Sequence, residues 1–324
     1  MFDFKLTEES PAEDVSGGLY EIIIIGGGPA GLTTAIYAGR DGRKTLVLEK
    51  ETTGGLATTT DRIENYPGFP EGISGSDLMT RIHQQAERFG TEIAEFEEVT
   101  KIEPVDGIFH LTTEDGTVYD GKTVVIATGS KPNKLNIPGE DAYFGRGVSY
   151  CATCDGPFFR DKDVIMVGAG SAGLQEGLQL LEYVKTMTVL VHSKVMRGEQ
   201  ILQDRIREHE RTRLVYNQEP VEIVGETTVT GVISEDRETG ERTQTKGDGV
   251  FVYIGHSPDT AFLADLVELD EHSYIVTDKR MRTKVPGLYA IGDVRSNNPA
   301  QMSISVGDGT IAALDIREYL QNLT

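Results

Sequence analysis

Two stretches of the chain share one hydrophobic pattern. LYEIIIIGGGPAGLTTAIYAGR begins with a largely apolar run, Tyr20–Ile25, passes through a glycine turn and continues with helix-forming residues from Pro29. DVIMVGAGSAGLQEGLQLLEYV repeats this plan near the middle of the chain. Largely apolar runs without alternation are typical of strands buried on both faces of a parallel sheet. The pattern therefore predicts an α/β fold with two strand–turn–helix units.

A second apolar strand, KTLVLEK or KTMTVLVHS, follows each unit. FHLTTEDGTVYDG and VTGVISEDRETGERTQ predict antiparallel hairpins that turn at Asp115-Gly116 and around Thr239-Gly240. SKPNKLNIPG and IGHSPDT, both rich in Pro and Gly, are the predicted crossing points. We expect two doubly wound, three-layer nucleotide-binding-type domains, one inserted in the other. The expected limits are 1–18 for a flexible N-terminal arm, 19–131 with 254–324 for the first domain, and 132–253 for the inserted domain.

The net charge of the chain argues against polyanionic binding partners. The 324 residues include 31 basic and 52 acidic side chains, which gives a net charge of −21. Nucleic acid and anionic membranes would be repelled. No apolar run approaches the roughly 18 residues that span a bilayer. The N-terminus lacks the basic and apolar regions of a signal peptide, and two cysteines are few for a secreted disulfide framework. A reducing, cytoplasmic compartment is expected.

The first glycine turn matches a dinucleotide motif. Gly26, Gly28 and Gly31 fit G-x-G-x-x-G between a predicted strand and a helix, and Glu49 follows at the end of the second strand. Such an acid accepts ribose hydroxyls, while the glycines let backbone amides approach a pyrophosphate. The alternative is a glycine-rich turn in an ordinary α/β sheet. Near the other end of the chain, TKVPGLYAIGDV carries Gly292 and Asp293, an anchor for ribityl hydroxyls, so the pair of anchors indicates FAD rather than NAD.

The two cysteines lie together in SYCATCDGPFF. A zinc site would need two more ligands, and a disulfide that closes so short a loop stabilises little. A pair of inert buried thiols would require neither this spacing nor the adjacent Asp155. A cycling dithiol/disulfide pair of Cys151 and Cys154 accounts for the spacing, because one thiolate can resolve its partner's mixed disulfide without large motion.

Several motifs occur in the same order as in one known family. TTGGLATTTDRIENYPGFP, TVVIATGS, CATCD and the segment ending in Gly292-Asp293 resemble low-molecular-weight thioredoxin reductases, and the resemblance extends from about Tyr20 to Leu320. It implies a homodimeric flavoenzyme that passes electrons from FAD through Cys154 and Cys151 to a thioredoxin-like protein. Cys154 would face the flavin in a charge-transfer contact or transient adduct, Cys151 would attack the substrate disulfide, and Asp155 would serve as acid and base. Rotation of the inserted domain is also implied.

The motifs and the resemblance together assign a set of FAD-binding residues. The resemblance places Thr58 and Asn65 against the flavin, and Gln301 and a helix start near Gly307 against its ring system. The full predicted set is Gly26, Gly28, Pro29, Ala30, Gly31, Glu49, Gly55, Thr58, Asn65, Ala127, Thr128, Gly129, Gly292, Asp293, Gln301 and Met302.

The inserted domain carries a weaker candidate site for NAD(P). The resembled family uses His-Arg-Arg-x-x-x-Arg after its second strand to grip the 2′-phosphate of NADPH, whereas this chain has Ser193 and Lys194 in place of the arginine pair and Arg197 one position early. The strand also ends without an acid for a ribose. The sequence argues against efficient NADPH use, leaves NADH open and makes ferredoxin an alternative donor. The candidate site consists of Gly168, Gly170, Gly173, His192, Lys194 and Arg197.

Two other functions remain open at this point. A dithiol oxidase would run the same chemistry towards oxygen and release peroxide. A non-catalytic flavin redox sensor would report thiol state to a binding partner through its domain angle.

Overall fold

The computed structural model describes residues 18–263 and 265–323. The expected N-terminal arm therefore lies outside the described residues apart from Gly18. The described chain forms two compact units. The first contains residues 18–55, 80–129 and 259–323, and the second contains Leu56–Met79 and Ser130–Pro258. The domain limits expected from the sequence stay a prediction.

The described strands follow one another as β1 (Tyr20–Ile25), β2 (Thr45–Glu49), β3 (Glu92–Glu95), β4 (Val99–Val105), β5 (Ile108–Thr113), β6 (Val118–Ile126), β7 (Ser130–Pro132), β8 (Val148–Ser149), β9 (Asp163–Val167), β10 (Thr186–Val191), β11 (Thr212–Tyr216), β12 (Gln218–Gly225), β13 (Val229–Asp236), β14 (Arg242–Lys246), β15 (Gly249–Val252), β16 (His256–Pro258) and β17 (Leu288–Ala290).

The described helices are α1 (Pro29–Arg40), α2 (Gly75–Arg88), α3 (Ala152–Asp155), α4 (Ser171–Leu180), α5 (Gln200–Glu208) and α6 (Met302–Asn322). Short 3₁₀ turns occur at Gly55–Thr59, Gly156–Phe159, Ala261–Leu263 and Gly292–Val294. None of these helices is long and apolar enough to cross a bilayer.

The first unit is built on a mixed sheet. Strands β3, β2, β1 and β6 lie side by side in parallel, and β17 pairs in parallel with the end of β6. The start of β6 pairs with β5 in an antiparallel hairpin, and β4 continues that meander. The predicted turn at Asp115-Gly116 is confirmed, because Gly116 takes the left-handed φ of +90°. Apart from Glu21, β1 consists of buried apolar residues and tyrosine, because the neighbouring strands and α1 cover it.

The second unit contains a parallel sheet in the order β11-β10-β9-β15-β8 and an antiparallel sheet β12-β13-β14. The second predicted hairpin, β13–β14, is therefore confirmed. The two predicted crossing segments pair with each other as a short antiparallel ribbon, β7 with β16. The amide of Asn133 extends this ribbon by donating to the Gly255 carbonyl at 2.9 Å.

The last helix corrects one expectation. A helix start near Gly307 is wrong, because α6 begins at Met302 and contains Gly307 and Gly309. A Cβ on Gly309 would lie 2.4 Å from the Ala30 carbonyl oxygen. Gly309 thus permits close packing of α6 on α1, whereas no described atom lies within 4 Å of a Cβ on Gly307. Glycine content alone did not reveal where the helix begins.

Candidate active site

The first glycine turn has the geometry of a nucleotide cradle. Gly26 takes a φ of +107°, and a Cβ there would lie 2.4 Å from the Ala127 carbonyl oxygen. A Cβ on Gly31 would lie 2.0 Å from the Gly26 carbonyl oxygen. At Gly28, by contrast, no described atom lies within 4 Å of the Cβ position. Two glycines close the turn while the middle one leaves open space, which fits the pyrophosphate of FAD.

The acid predicted for the ribose lies at this turn. Glu49 is buried, and its carboxylate accepts the Gly27 amide at 2.7 Å and the Glu51 amide at 3.0 Å. Gly54 donates to the Gly27 carbonyl at 2.9 Å, and a Cβ on Gly55 would lie 3.6 Å from the Gly28 Cα. The loop after β2 therefore folds against the glycine turn.

The second anchor lies beside the same helix start. Gly292 takes a φ of +71°, and a Cβ there would lie 3.0 Å from the Ala30 Cβ. Asp293 accepts a hydrogen bond from the Ser305 hydroxyl at 3.1 Å. The structure thus brings together two motifs that lie more than 250 residues apart in the chain, which is what an extended FAD would need.

The other predicted flavin residues are distributed over both units. Ala127, at the end of β6, donates its amide to the Ile25 carbonyl at 2.8 Å, and Thr128 donates its hydroxyl to the Asp259 carbonyl at 3.3 Å. In the first unit also lie Pro29, Gly129, Gln301, which caps α6, and Met302, which begins it. In the second unit lie Thr58, half-buried in a 3₁₀ turn, and Asn65, which is exposed.

One ion pair at the first cradle was not predicted. Asp308 is buried, and its carboxylate accepts two hydrogen bonds from Arg295, at 2.5 and 3.0 Å, together with the Gly292 amide at 3.1 Å. Bidentate pairs of this kind fix orientation as well as charge. Arg295 directly follows the Gly-Asp-Val segment, but nothing in the local pattern identifies Asp308 as its partner.

The cysteines are joined as a disulfide at the start of α3. Cys151 is the N-cap of this helix, and its sulfur accepts the Cys154 amide at 3.1 Å. Asp155 ends the same short helix and is half-buried. Thr153, between the cysteines, donates to the Gln179 side chain on α4 at 3.0 Å. An amide aimed at the Cys151 sulfur stabilises a thiolate at that atom once the disulfide is reduced.

A carboxyl group that the sequence did not reveal lies next to this pair. Glu176, on α4, accepts the Ala152 amide at 3.1 Å. Burial raises the pKa of the Glu176 carboxyl to about 7, although the Ala152 amide and the Tyr253 hydroxyl act in the opposite direction. The Tyr253 hydroxyl is itself buried without a hydrogen bond of good geometry to any described residue. Burial and the nearby Glu176 raise the pKa of Tyr253.

The second glycine turn resembles the first in part. Gly168 takes a φ of +109°, with a Cβ position 2.0 Å from the Tyr253 carbonyl oxygen, and no described atom lies within 4 Å of a Cβ on Gly170. Gly173 is less constrained, because a Cβ there would lie 3.0 Å from the Tyr253 Cβ and 3.3 Å from the Gly168 oxygen. The middle of this turn is therefore open, as in the first turn. Unlike Gly31, however, its third glycine could be replaced by alanine with only small shifts of its neighbours.

Two of the three side chains predicted to bind a nucleotide phosphate are paired with acids. His192 contacts Glu219 of β12 at 2.6 Å, and Lys194 pairs with Glu238. Arg237 lies 3.6 Å from the same Glu219 carboxylate. Arg197 is exposed. Strand β10 does end without an acid of its own, but folding brings these two glutamates to its end from later segments, which the linear sequence did not show.

Comparison with known proteins places this geometry in a family. The model of the pyridine nucleotide-disulphide oxidoreductases matches residues 20–309. The chain belongs to this family. It is 41% identical over 304 residues to a thioredoxin reductase of Treponema pallidum, covering 94% of this chain and 98% of that protein. Its fold matches the thioredoxin reductase of Lactococcus lactis with a TM-score of 0.91, at 38% identity over 94% of this chain and 99% of that one.

A third relative has ferredoxin in its name. The fold also matches a ferredoxin-flavin thioredoxin reductase of Clostridium acetobutylicum, with a TM-score of 0.51 and 30% identity over 94% of this chain and 99% of that one. The chain is a thioredoxin reductase-like flavoprotein disulfide reductase, an oxidoreductase whose cofactor is FAD. The α/β fold and the resemblance inferred from the sequence are thereby confirmed.

Proposed function

We propose that this enzyme reduces the disulfide of a thioredoxin-like protein through Cys151 and Cys154. The observation that carries the proposal is the Cys151–Cys154 disulfide at the start of α3, in the same chain as a cradle that fits FAD. The names of the relatives support the choice of substrate. A homodimer in a reducing cytoplasm is part of the same proposal and follows from the resemblance.

The residues of the pair have separate roles in this proposal. When bound, FAD supplies an electron pair to a disulfide. Cys154 is exposed and is the sulfur assigned to face the flavin, while Cys151 attacks the substrate disulfide. The Cys154 amide, 3.1 Å from the Cys151 sulfur, favours the thiolate that this attack requires. Asp155, one residue further on, holds or delivers the proton of the leaving sulfur.

Single-turnover reduction tests this function without a choice of donor. Holoenzyme with photoreduced flavin is mixed anaerobically with oxidised thioredoxin, and the new thioredoxin thiols are labelled with a maleimide. Cys151→Ser should abolish labelling. Cys154→Ser should free at most one thioredoxin thiol, because Cys151 stays bonded to the other thioredoxin sulfur, whereas Thr239→Ala, in the exposed β13–β14 turn, should leave labelling unchanged. Labelling that persists in Cys151→Ser, or labelling of both thioredoxin thiols by Cys154→Ser, contradicts the proposal. Peroxide release from small dithiols without thioredoxin would favour the oxidase, and a thiol-dependent change of shape without turnover would favour the sensor.

For the electron donor, we propose that NADPH is used poorly. A 2′-phosphate needs several uncompensated donors, but Lys194 is paired with Glu238, and His192 and Arg237 contact Glu219. Among the described residues this leaves Arg197 as the one predicted cation without an acidic partner, and a single exposed arginine holds a phosphate weakly. Two carboxylates at the end of β10 would also repel a phosphate dianion. The named donor of the Clostridium acetobutylicum relative supports a ferredoxin-type carrier instead.

Flavin bleaching distinguishes the donors. The holoenzyme is titrated anaerobically with NADPH, NADH and reduced ferredoxin while the flavin absorbance is followed. Rapid bleaching by reduced ferredoxin, with slow bleaching by NADPH, is expected. Rapid, stoichiometric bleaching by NADPH would contradict the proposal.

A further inference from the structure

The amides around the cysteine pair are shared between a sulfur and a carboxylate. The Cys151 sulfur accepts the Cys154 amide at 3.1 Å, and Glu176 accepts the amide of Ala152, the residue that follows Cys151, at 3.1 Å. Ala152 is fully buried, so its amide has no access to water as an alternative partner. Glu176 therefore fixes the first turn of α3 from the neighbouring helix α4.

The surroundings of Glu176 make its charge costly. Burial raises the pKa of its carboxyl, and Asp61 adds to the effect through like-charge repulsion. Tyr253, which follows β15, has a buried hydroxyl that favours the charged form of this carboxyl, and the Asp155 carboxylate of α3 raises the pKa of the same tyrosine. Among the described residues, Asp61, Tyr253 and Asp155 are the titratable groups that act on Glu176 or on its tyrosine neighbour. A negative charge on the sulfur of Cys151, the residue before Ala152, would add to the charges that oppose ionisation of Glu176.

We propose that Glu176 is a positioning residue for the redox pair: its carboxylate holds the Ala152 amide, and its charge is coupled to the charge on the Cys151 sulfur. Reduction breaks the Sγ–Sγ bond and adds one electron pair, after which each sulfur either takes a proton or remains a thiolate. A Cys151 thiolate beside ionised Glu176 brings two like charges together, so the thiolate favours protonated Glu176. This inference rests on the proposed redox role of the cysteines.

The alkylation profile of the reduced holoenzyme tests the coupling. After anaerobic reduction with dithiothreitol, iodoacetamide reacts with the Cys151 thiolate, and its rate is measured by mass spectrometry as the pH is varied. Glu176→Gln keeps an acceptor for the Ala152 amide but removes the charge. We expect its half-point to move to lower pH and its rate at about pH 8, where wild-type Glu176 is mostly ionised, to rise at least about threefold over wild type, since a like charge no longer opposes the thiolate.

Two further variants keep the test decisive. Glu182→Gln removes an exposed carboxylate just beyond the end of α4 and should reproduce the wild-type profile. Tyr253→Phe removes a hydroxyl that favours ionised Glu176, so it should give a smaller shift in the same direction as Glu176→Gln. If Glu176→Gln does not fold, the Tyr253→Phe profile decides.

Profiles of Glu176→Gln or Tyr253→Phe that superimpose on wild type, or that move to higher pH, overturn the inference. A failure of the proposed function is seen elsewhere, as thioredoxin reduction that survives in Cys151→Ser.

Discussion

The two glycine turns of this enzyme have the same strand–turn–helix plan but differ in how well they would accommodate a side chain at the third glycine. In the first, a Cβ on the third glycine, Gly31, would lie 2.0 Å from a backbone oxygen, and Glu49 binds the turn directly. In the second, a Cβ on Gly173 would meet its nearest atom at 3.0 Å. No acid at the end of β10 binds that turn among the described residues. Its cations are instead paired with glutamates from later strands.

The difference shows which parts of a nucleotide fold can change without loss of the fold. Strand, turn and helix are retained in both units because they form the sheet and its cover. The two units diverge at the end of the second strand: Glu49 is buried against the first turn, whereas His192 and Lys194, just after β10, are exposed, where the fold does not depend on them. If the second turn binds a nucleotide donor, as the sequence predicts, its specificity can change there while the first turn is kept.

Substitution of the third glycine by alanine should give the largest difference between the two turns. Gly31→Ala places a methyl group 2.0 Å from the Gly26 oxygen, so the turn must open, and we expect the purified protein to lack flavin absorbance. Gly173→Ala meets its neighbours at 3.0 and 3.3 Å, which small shifts relieve, and should retain full flavin and fold. Equal flavin content in the two variants would remove the contrast.

Removal of the carboxylates that pair with the basic side chains near the second turn tests whether these pairs limit the use of NADPH. In the double variant Glu219→Gln, Glu238→Gln, the cations His192, Lys194 and Arg237 lose their carboxylate partners. We expect flavin bleaching by NADPH to become several-fold faster because an uncompensated cation gains about 1.5–3 kcal/mol from a charged hydrogen bond. The control Glu222→Gln changes an exposed residue of the same strand, β12. A bleaching rate no faster than that of the control would count against the donor argument.

A smaller effect is expected in the pH dependence of stability, where one buried carboxyl group in each unit contributes with opposite sign. Burial opposes ionisation of Asp315, but hydrogen bonds from Arg282, Arg280 and Tyr289 outweigh it and hold the pKa of Asp315 below its ordinary 3.8. Stability from Asp315 is therefore present above this pH and lost as pH falls below it. The pKa of Glu176 is raised from 4.5 to about 7, so its contribution is full below pH 4.5 and lost as pH rises towards 7.

Thermal unfolding of two variants should show these opposite signs. The melting temperature of Glu176→Gln relative to that of wild type should increase by about 2 °C as the pH is raised from about 5 to about 8, because the variant has no buried carboxyl to ionise. Asp315→Asn should lose stability at neutral pH and approach wild type only in acid. A Glu176→Gln melting difference that is independent of pH would show that the carboxyl is already ionised at pH 5.

The sequence predicted the strands, turns and cysteines of the site better than it predicted which distant residues contact them. Apolar runs, glycine spacing, turn residues and the C-x-x-C spacing identified both turns, both hairpins and the cysteine pair, because each is a local pattern with a local physical cause. The resemblance predicts a helix start near Gly307, whereas α6 begins at Met302 and Gly309 serves to pack α6 on α1.

Contacts made by distant segments could not be read from the chain. Glu176 lies on α4 and meets Ala152 only after the second unit folds, and its neighbours along the sequence give no sign of it. Glu219 and Glu238 reach the end of β10 in the same way. In each case the residue is of a type common on surfaces, and only the tertiary fold gives it its partner, a buried amide for Glu176 and basic side chains for Glu219 and Glu238.

Anaerobic reduction of the FAD-loaded enzyme with dithionite, followed by maleimide labelling, tests the central claim most directly. If the flavin and the cysteine pair exchange electrons, the enzyme takes up reducing equivalents beyond those needed for its flavin, and both Cys151 and Cys154 become labelled. Bleaching of the flavin with the Cys151–Cys154 bond intact and no label on either cysteine would contradict the account.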